Sequence, residues 1–116
     1  MLNAIDPQTA FRLIIEPADK QRDVEINIDA QTARRRVSGW VMTEVANMLL
    51  GGTPELLITS TQAIWRVPVI LTSKNGAIGT VGSVDVNASN GTLTILPELS
   101  QQLTDSAVRL AHPHHA

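Results

Sequence analysis

From Ile64 to Leu96 the chain reads IWRVPVILTSKNGAIGTVGSVDVNASNGTLTIL, and this stretch constrains the fold more than any other. Trp65, Val67, Val69 and Leu71 alternate with Arg66, Pro68, Ile70 and Thr72. A two-residue period of this kind points one set of side chains toward a core and the other away from it. Lys74-Asn75-Gly76 follows, and an Asn-Gly pair between apolar runs predicts a turn because both residue types tolerate positive φ. Gly79 and Gly82 flank Val81, which predicts a longer loop or a bulge. Val84, Val86 and Ala88 then alternate with Ser83, Asp85 and Asn87, Ser89-Asn90-Gly91 supplies a second turn, and Leu93 and Ile95 alternate with Thr92 and Thr94. Three consecutive strands with short connections are expected to pair antiparallel as a meander. Pro68 has no N–H to give a ladder, so its place is expected at an open edge, a bulge or solvent.

The flanks complete the architecture. Residues 1–10 read as a lead, and Phe11 to Glu16 as a short strand stopped by Pro17 and a polar run. Val24, Ile26 and Ile28 alternate with Glu25, Asn27 and Asp29, which fits a strand or an extended arm over the surface. Asp29 stands where an N-cap belongs. Behind it Ala33, Val37, Val41, Val45, Met48 and Leu49 form one helical stripe, predicting a helix from Ala30 to Leu50 that Gly51-Gly52 stops. Leu56 to Ile58, after Pro54, reads as the first strand of the sheet. Pro97 and Glu98 read as the first turn of a second helix with an apolar stripe of Leu99, Leu103, Ala107 and Leu110. Strands in a run, not in alternation with helices, predict an α+β fold. It is one long helix packed on an antiparallel sheet of about four strands, with a C-terminal helix and an N-terminal strand or arm. The expected boundaries are an arm over 1–28, one domain over 29–111 and a disordered tail over 112–116.

Trp65-Arg-Val-Pro-Val, followed by Val84-Asp85-Val86-Asn87-Ala88-Ser89-Asn90-Gly91, resembles the second half of PepSY-type domains. There a strand opened by an aromatic residue precedes one that ends in a Val-Asp-Ala-x-Thr-Gly-like turn. Asn87 and Asn90 stand where that pattern has Asp and Thr. Over residues 33–111 the chain is also similar to a group of small bacterial proteins, often cyanobacterial, with the same helix and WRVPV strand. The resemblance implies a cystatin-like helix-on-sheet fold and a module that acts by binding, peptidase inhibition being a role suggested for PepSY modules.

The chemistry available is narrow. At 116 residues, 43% hydrophobic and 17% charged, the chain is a globular protein long enough to bury a core. A formal charge of -2 gives no global attraction for nucleic acid or anionic lipid. Without cysteine there is no disulfide, thiolate nucleophile or cysteine metal site. No run reaches a membrane span, and MLNAIDPQTAF lacks a signal pattern, so no membrane association and a cytoplasmic location are expected. His112, His114 and His115 could ligate a divalent metal, but an incidental tail without a nearby carboxylate is the plainer reading. No His or Cys in the body could serve as base or nucleophile. Asp85 and Asp105 are accounted for by turn chemistry and a solvated helix face. We therefore expect neither catalytic residues nor a cofactor.

Two surface readings remain. Arg34-Arg35-Arg36 is the single basic cluster and could grip phosphate in a small nucleic-acid-associated or antitoxin-type regulator. Three consecutive helical residues, however, spread over ~200° and do not converge on one ligand. The leading expectation is a non-catalytic interaction or assembly module that binds another protein or itself. Its interface candidates are Trp40 and Met42 on the helix shoulder and Val24, Ile26 and Ile28 in the arm. A homodimer is favoured, with the arm pairing across a two-fold axis, whereas an arm that covers an edge of its own subunit predicts a monomer.

Overall fold

The computed structural model describes residues 12–15, for the backbone, and 24–111. The N-terminal lead, the polar run from 16 to 23 and the tail with His112, His114 and His115 lie outside the described residues. The fold is α+β: helix α1 (Ala30–Glu44) and helix α2 (Leu99–Ala111) with a six-stranded sheet. Its strands are β1 (Arg12–Ile15), β2 (Leu49–Gly51), β3 (Glu55–Ile58), β4 (Ala63–Ser73), β5 (Gly76–Asn87) and β6 (Leu93–Thr94). Every neighbouring pair is antiparallel except β1 with β3, which run parallel. Among the described residues no helix is long and apolar enough to cross a membrane.

α1 begins where its cap predicts. The Asp29 carboxylate accepts a 2.7 Å hydrogen bond from the Thr32 backbone N–H, filling one of the four donors that a helix start leaves open. Those hydrogen bonds to Thr32 hold the Asp29 carboxyl below its ordinary pKa. A depressed folded-state value means that the ionised cap stabilises the domain above the unfolded carboxylate pKa, and that this contribution fades as pH falls through the folded value. Asp29→Asn keeps a good cap but cannot titrate. It is therefore expected to melt close to wild type at neutral pH and to lose less stability on acidification. Parallel thermal melts between pH 7 and about pH 3, across the usual carboxylate range, check this. Equal acid sensitivity of the two proteins would remove Asp29 from the account.

Ala30, Ala33, Val37 and Val41, spaced by three and four, are the buried stripe of α1. The helix stops earlier than its spacing suggests: the N–H groups of Val45 and Ala46 both bond the Val41 carbonyl, and Leu49 already belongs to β2. The expected extension to Leu50 is thus corrected. Leu49 is buried as a strand residue opposite Leu71, and Met48 is exposed. Spacing alone does not separate the last inward position of a helix from the first inward position of a strand. Gly51 does not cap α1 either. It lies under it, where a Cβ would come within 2.9 Å of the Arg34 carbonyl oxygen and 3.0 Å of Val67. A side chain there would push the helix off the sheet.

β4 is the spine. On one side it pairs with β5, and on the other with β2 along its C-terminal half and β3 along its N-terminal half. Pro68 sits between those two partners. Its carbonyl accepts from Gly52 N–H at 2.7 Å, so its nitrogen, which points the same way, faces the break between β2 and β3. The missing donor falls where no ladder bond is required. At the β4–β5 hairpin the positive φ belongs to Gly76 alone (115°), because no non-glycine residue among those described has one. A tight turn followed by a left-handed glycine replaces the doubly left-handed turn for which Asn-Gly is best known.

β5 runs unbroken past Gly79 and Gly82, so the bulge alternative holds and the longer loop does not. The ladder shifts between Val69 and Ile70 and again between Leu71 and Thr72. A Cβ on Gly82 would approach Leu103 to 2.7 Å, and one on Gly79 would approach Leu110 to 2.9 Å. Both glycines let α2 settle directly on the strand. α2 starts at Leu99, two residues later than expected, with Leu99 N–H bonded to the Leu96 carbonyl. Leu103 is fully buried, while Leu99, Ala107 and Leu110 pack half-buried beside it.

Candidate functional site

Register decides which face of the sheet is free. Gly51 and Gly82 lie opposite Val69 on either side of β4, so all three point to the same face. Gly51 meets α1 and Gly82 meets α2. Both helices therefore cover one face, the one that carries Trp65, Val67, Val69, Leu71, Val84 and Val86. Among the described residues no helix lies on the other face.

That helix-free face is built in rows. Leu50 pairs with Ile70 and Thr80, Pro68 with Ser83, Glu55 with Arg66, Asp85 and Thr94, and Leu57 with Ile64 and Asn87. Leu50, Leu57, Ile64, Pro68 and Ile70 are half-buried. The apolar groups gather on β2, β3 and β4, and the polar ones on β5 and β6. A bidentate pair crosses the middle: Arg66 Nε to Asp85 Oδ1 at 2.9 Å and Arg66 Nη2 to Asp85 Oδ2 at 3.1 Å. Donating these hydrogen bonds to the Asp85 carboxylate raises the Arg66 pKa above its ordinary value. With 44% of the Arg66 side chain in solvent, such a pair contributes at most about 1 kcal/mol to stability. Its effect is to fix the guanidinium plane on the face.

Two depressions adjoin this face. A cleft of about 170 Å³ is lined by Arg66, Ser83, Asp85, Thr94, Leu96 and Leu99. It is small beside the ~300–1,000 Å³ of ordinary small-molecule sites. A wider groove of about 540 Å³ runs between β5 and α2. Of its polar lining residues, Asp105 accepts from Gln101 outside the groove at 2.9 Å and Arg109 donates to Ser106 at 3.2 Å. They do not converge on a point in the groove. Among the described residues no three of His, Cys, Asp and Glu come close enough to hold a metal ion.

The residues singled out from the sequence are dispersed. Arg34 Nε donates to the Gly51 carbonyl at 3.0 Å, whereas Arg36 Nη1 donates to the Gly91 carbonyl at 3.0 Å, so the two reach opposite ends of the core. Arg35 lies exposed between them, near enough to Asp29 to help keep that carboxyl ionised. The basic cluster is a pair of tethers and one solvated side chain. Trp40 is half-buried against the core, and Met42 is 48% exposed. Residues 24–28 of the arm form no ladder. Asn27 and Ile28 N–H both bond the Ala88 carbonyl, at 2.8 and 2.9 Å, and the Ile28 carbonyl accepts from Trp65 Nε1 at 2.6 Å. Val24 and Ile28 thus pack on their own chain, and Ile26 stays exposed. Asp105 lies exposed on α2.

The Arg66–Asp85 pair is what residue-by-residue reading missed. Both residues sit on the outward phase of their strands, which is a visible signal. Counting back from the Lys74–Asn75 turn without bulges, however, would set Arg66 against Ser83. Comparison with protein-family models, with curated proteins and with solved structures finds no match to this chain.

Proposed function

We propose that this chain is a non-catalytic protein-interaction module whose working surface is the helix-free face of the sheet, and that its first partner is a second copy of itself. One observation carries the reading: both helices lie on the same face, leaving Leu50, Leu57, Ile64, Pro68 and Ile70 only half-buried around the Arg66–Asp85 pair. An apolar patch crossed by a fixed arginine has the make-up of a protein interface, where apolar contact supplies affinity and charge supplies register. Exposed Leu96, which lines the small cleft, extends it. With the arm closed on its own chain, the sheet face takes over the pairing role first expected of Val24 to Ile28.

Ile70→Asp tests the idea, since Ile70 is on this face and outside the buried core. Light scattering over a range of concentrations should give a dimer for wild type and a monomer for the variant, both with the same circular dichroism spectrum. A wild-type chain that stays monomeric throughout would eliminate self-pairing. The module reading itself would then fall if affinity capture retained no protein that the Ile70→Asp chain loses.

A further inference from the structure

We propose that Asn75 is a site of spontaneous deamidation directed by the fold, and that the other Asn-Gly pair of the chain, Asn90-Gly91, is protected by it. The reaction is fastest at an asparagine followed by a residue without a Cβ, and the sequence has two such pairs. The backbone nitrogen of the glycine, deprotonated by hydroxide, attacks Cγ of the asparagine. A Cγ–N bond forms, the Cγ–Nδ2 bond breaks, and Nδ2 leaves as ammonia after taking up a proton. Water then opens the resulting five-membered succinimide at either carbonyl, giving aspartate or isoaspartate. No electron changes hands, and water is the only co-reactant.

The two sites differ in what opposes ring closure. Asn75 and Gly76 are both exposed at the tip of the β4–β5 hairpin. The space beside Gly76 is open, with nothing within 4 Å of where its Cβ would be. Among the described residues the Asn75 side-chain amide has no hydrogen-bond partner; only its backbone N–H is held, by Ser73 Oγ at 3.1 Å. Gly76 opens the ladder opposite Ser73, and the end of a hairpin is where pairing frays most readily.

Asn90 is exposed as well, but the Asn90-Gly91 turn is held at several other points. Gly91 is buried, and its N–H is tied to the Asn87 carbonyl at 2.7 Å. Arg36 lies against it and bonds its carbonyl. The Asn90 side-chain oxygen accepts from Thr92 N–H at 2.9 Å, and Asn87 Oδ1 holds the N–H groups of Ser89 and Asn90. The loop must open before Gly91 nitrogen can reach Asn90 Cγ. The product at Asn75 places a new negative charge at the hairpin tip, and the isoaspartyl form also adds a methylene to the main chain inside a tight turn.

The test is to age the full chain at mildly alkaline pH, folded and in concentrated urea, and follow both sites by peptide mapping with mass spectrometry. In the folded protein Asn75 should convert at least about tenfold faster than Asn90, the ratio that one modest local opening step confers. In urea the two rates should draw together. Asn75→Gln should leave the tip unmodified. Equal rates in the folded chain would overturn the proposal, and so would a ratio that urea leaves unchanged, since flanking sequence and not the fold would then set it.

Discussion

A chain carrying Val41→Asp is expected to show no cooperative thermal transition and no near-ultraviolet signal from ordered tryptophan. Val41 lies in the middle of the α1 stripe with 0% of its surface exposed, inside a cluster that includes Val67, Val69 and Leu103. Among the described residues no polar or charged side chain is buried, so a carboxylate placed there finds no partner. Leaving it charged costs several kcal/mol even after relaxation, out of a total stability of ~5–15 kcal/mol for a domain. Neutralising the group lowers the penalty, so partial recovery of structure at acid pH is expected as well. Met42→Asp, one position on and 48% exposed, is the control and should stay within about 0.5 kcal/mol of wild type. A Val41→Asp protein that melts like the Met42→Asp protein would mean that the stripe does not face the core.

Trp65→Ala should cost about 3–5 kcal/mol, the usual range for emptying a buried aromatic site. Trp65 is 2% exposed and lies in the core cluster. Its Nε1 also donates to the Ile28 carbonyl at 2.6 Å, tying the arm to β4. Packing and tether can be separated. Trp65→Phe keeps most of the ring volume and removes the donor, which costs about 1–3 kcal/mol where an acceptor is left unpaired. In that variant, hydrogen exchange should quicken at Asn27 and Ile28, whose N–H groups bond the Ala88 carbonyl, before it quickens at Val67 or Val84. Denaturant melts give the first quantity and exchange gives the second. If Trp65→Phe matched wild type in both, the indole hydrogen bond would be incidental and the arm held by Val24 and Ile28 packing and by the bonds to the Ala88 carbonyl.

The candidate surface was only half legible. Alternation along β4 placed Arg66, Pro68 and Ile70 together on one phase, and alternation along β5 did the same for Ser83, Asp85 and Asn87. Nothing in either run says that Arg66 meets Asp85. Each of the two bulges slides the ladder by one residue, and together they carry Asp85 to the place that Ser83 would otherwise hold. Because strand side chains alternate with a period of two, one such shift would have turned the β5 valines to the wrong face. Two shifts restore the phase. The glycines at 79 and 82 hinted at a bulge, but their spacing carried neither the number of shifts nor the reason for them, which is the approach of Leu103 and Leu110.

What the sequence determined by itself was every feature that arises within a few residues. Those features are the Asp29 cap, the Ala33–Val37–Val41 stripe, the inward phases of β4 and β5, the turns at Asn75 and Asn90, and the Leu99–Leu103–Leu110 face of α2. Local sterics, hydrogen bonds and periodicity suffice for these, because each is settled by neighbours along the chain. Tertiary structure alone decided the rest. It ended α1 at Glu44 because Leu49 buries better against Leu71 than as another helical turn, and it tolerated Pro68 inside a strand because the break between β2 and β3 falls beside it. It sent Arg34 and Arg36 to different carbonyls, closed the arm onto Ala88, and laid both helices on the same face. Each of these depends on a partner tens of residues away, and a hydrophobic period specifies which side is buried without specifying what buries it.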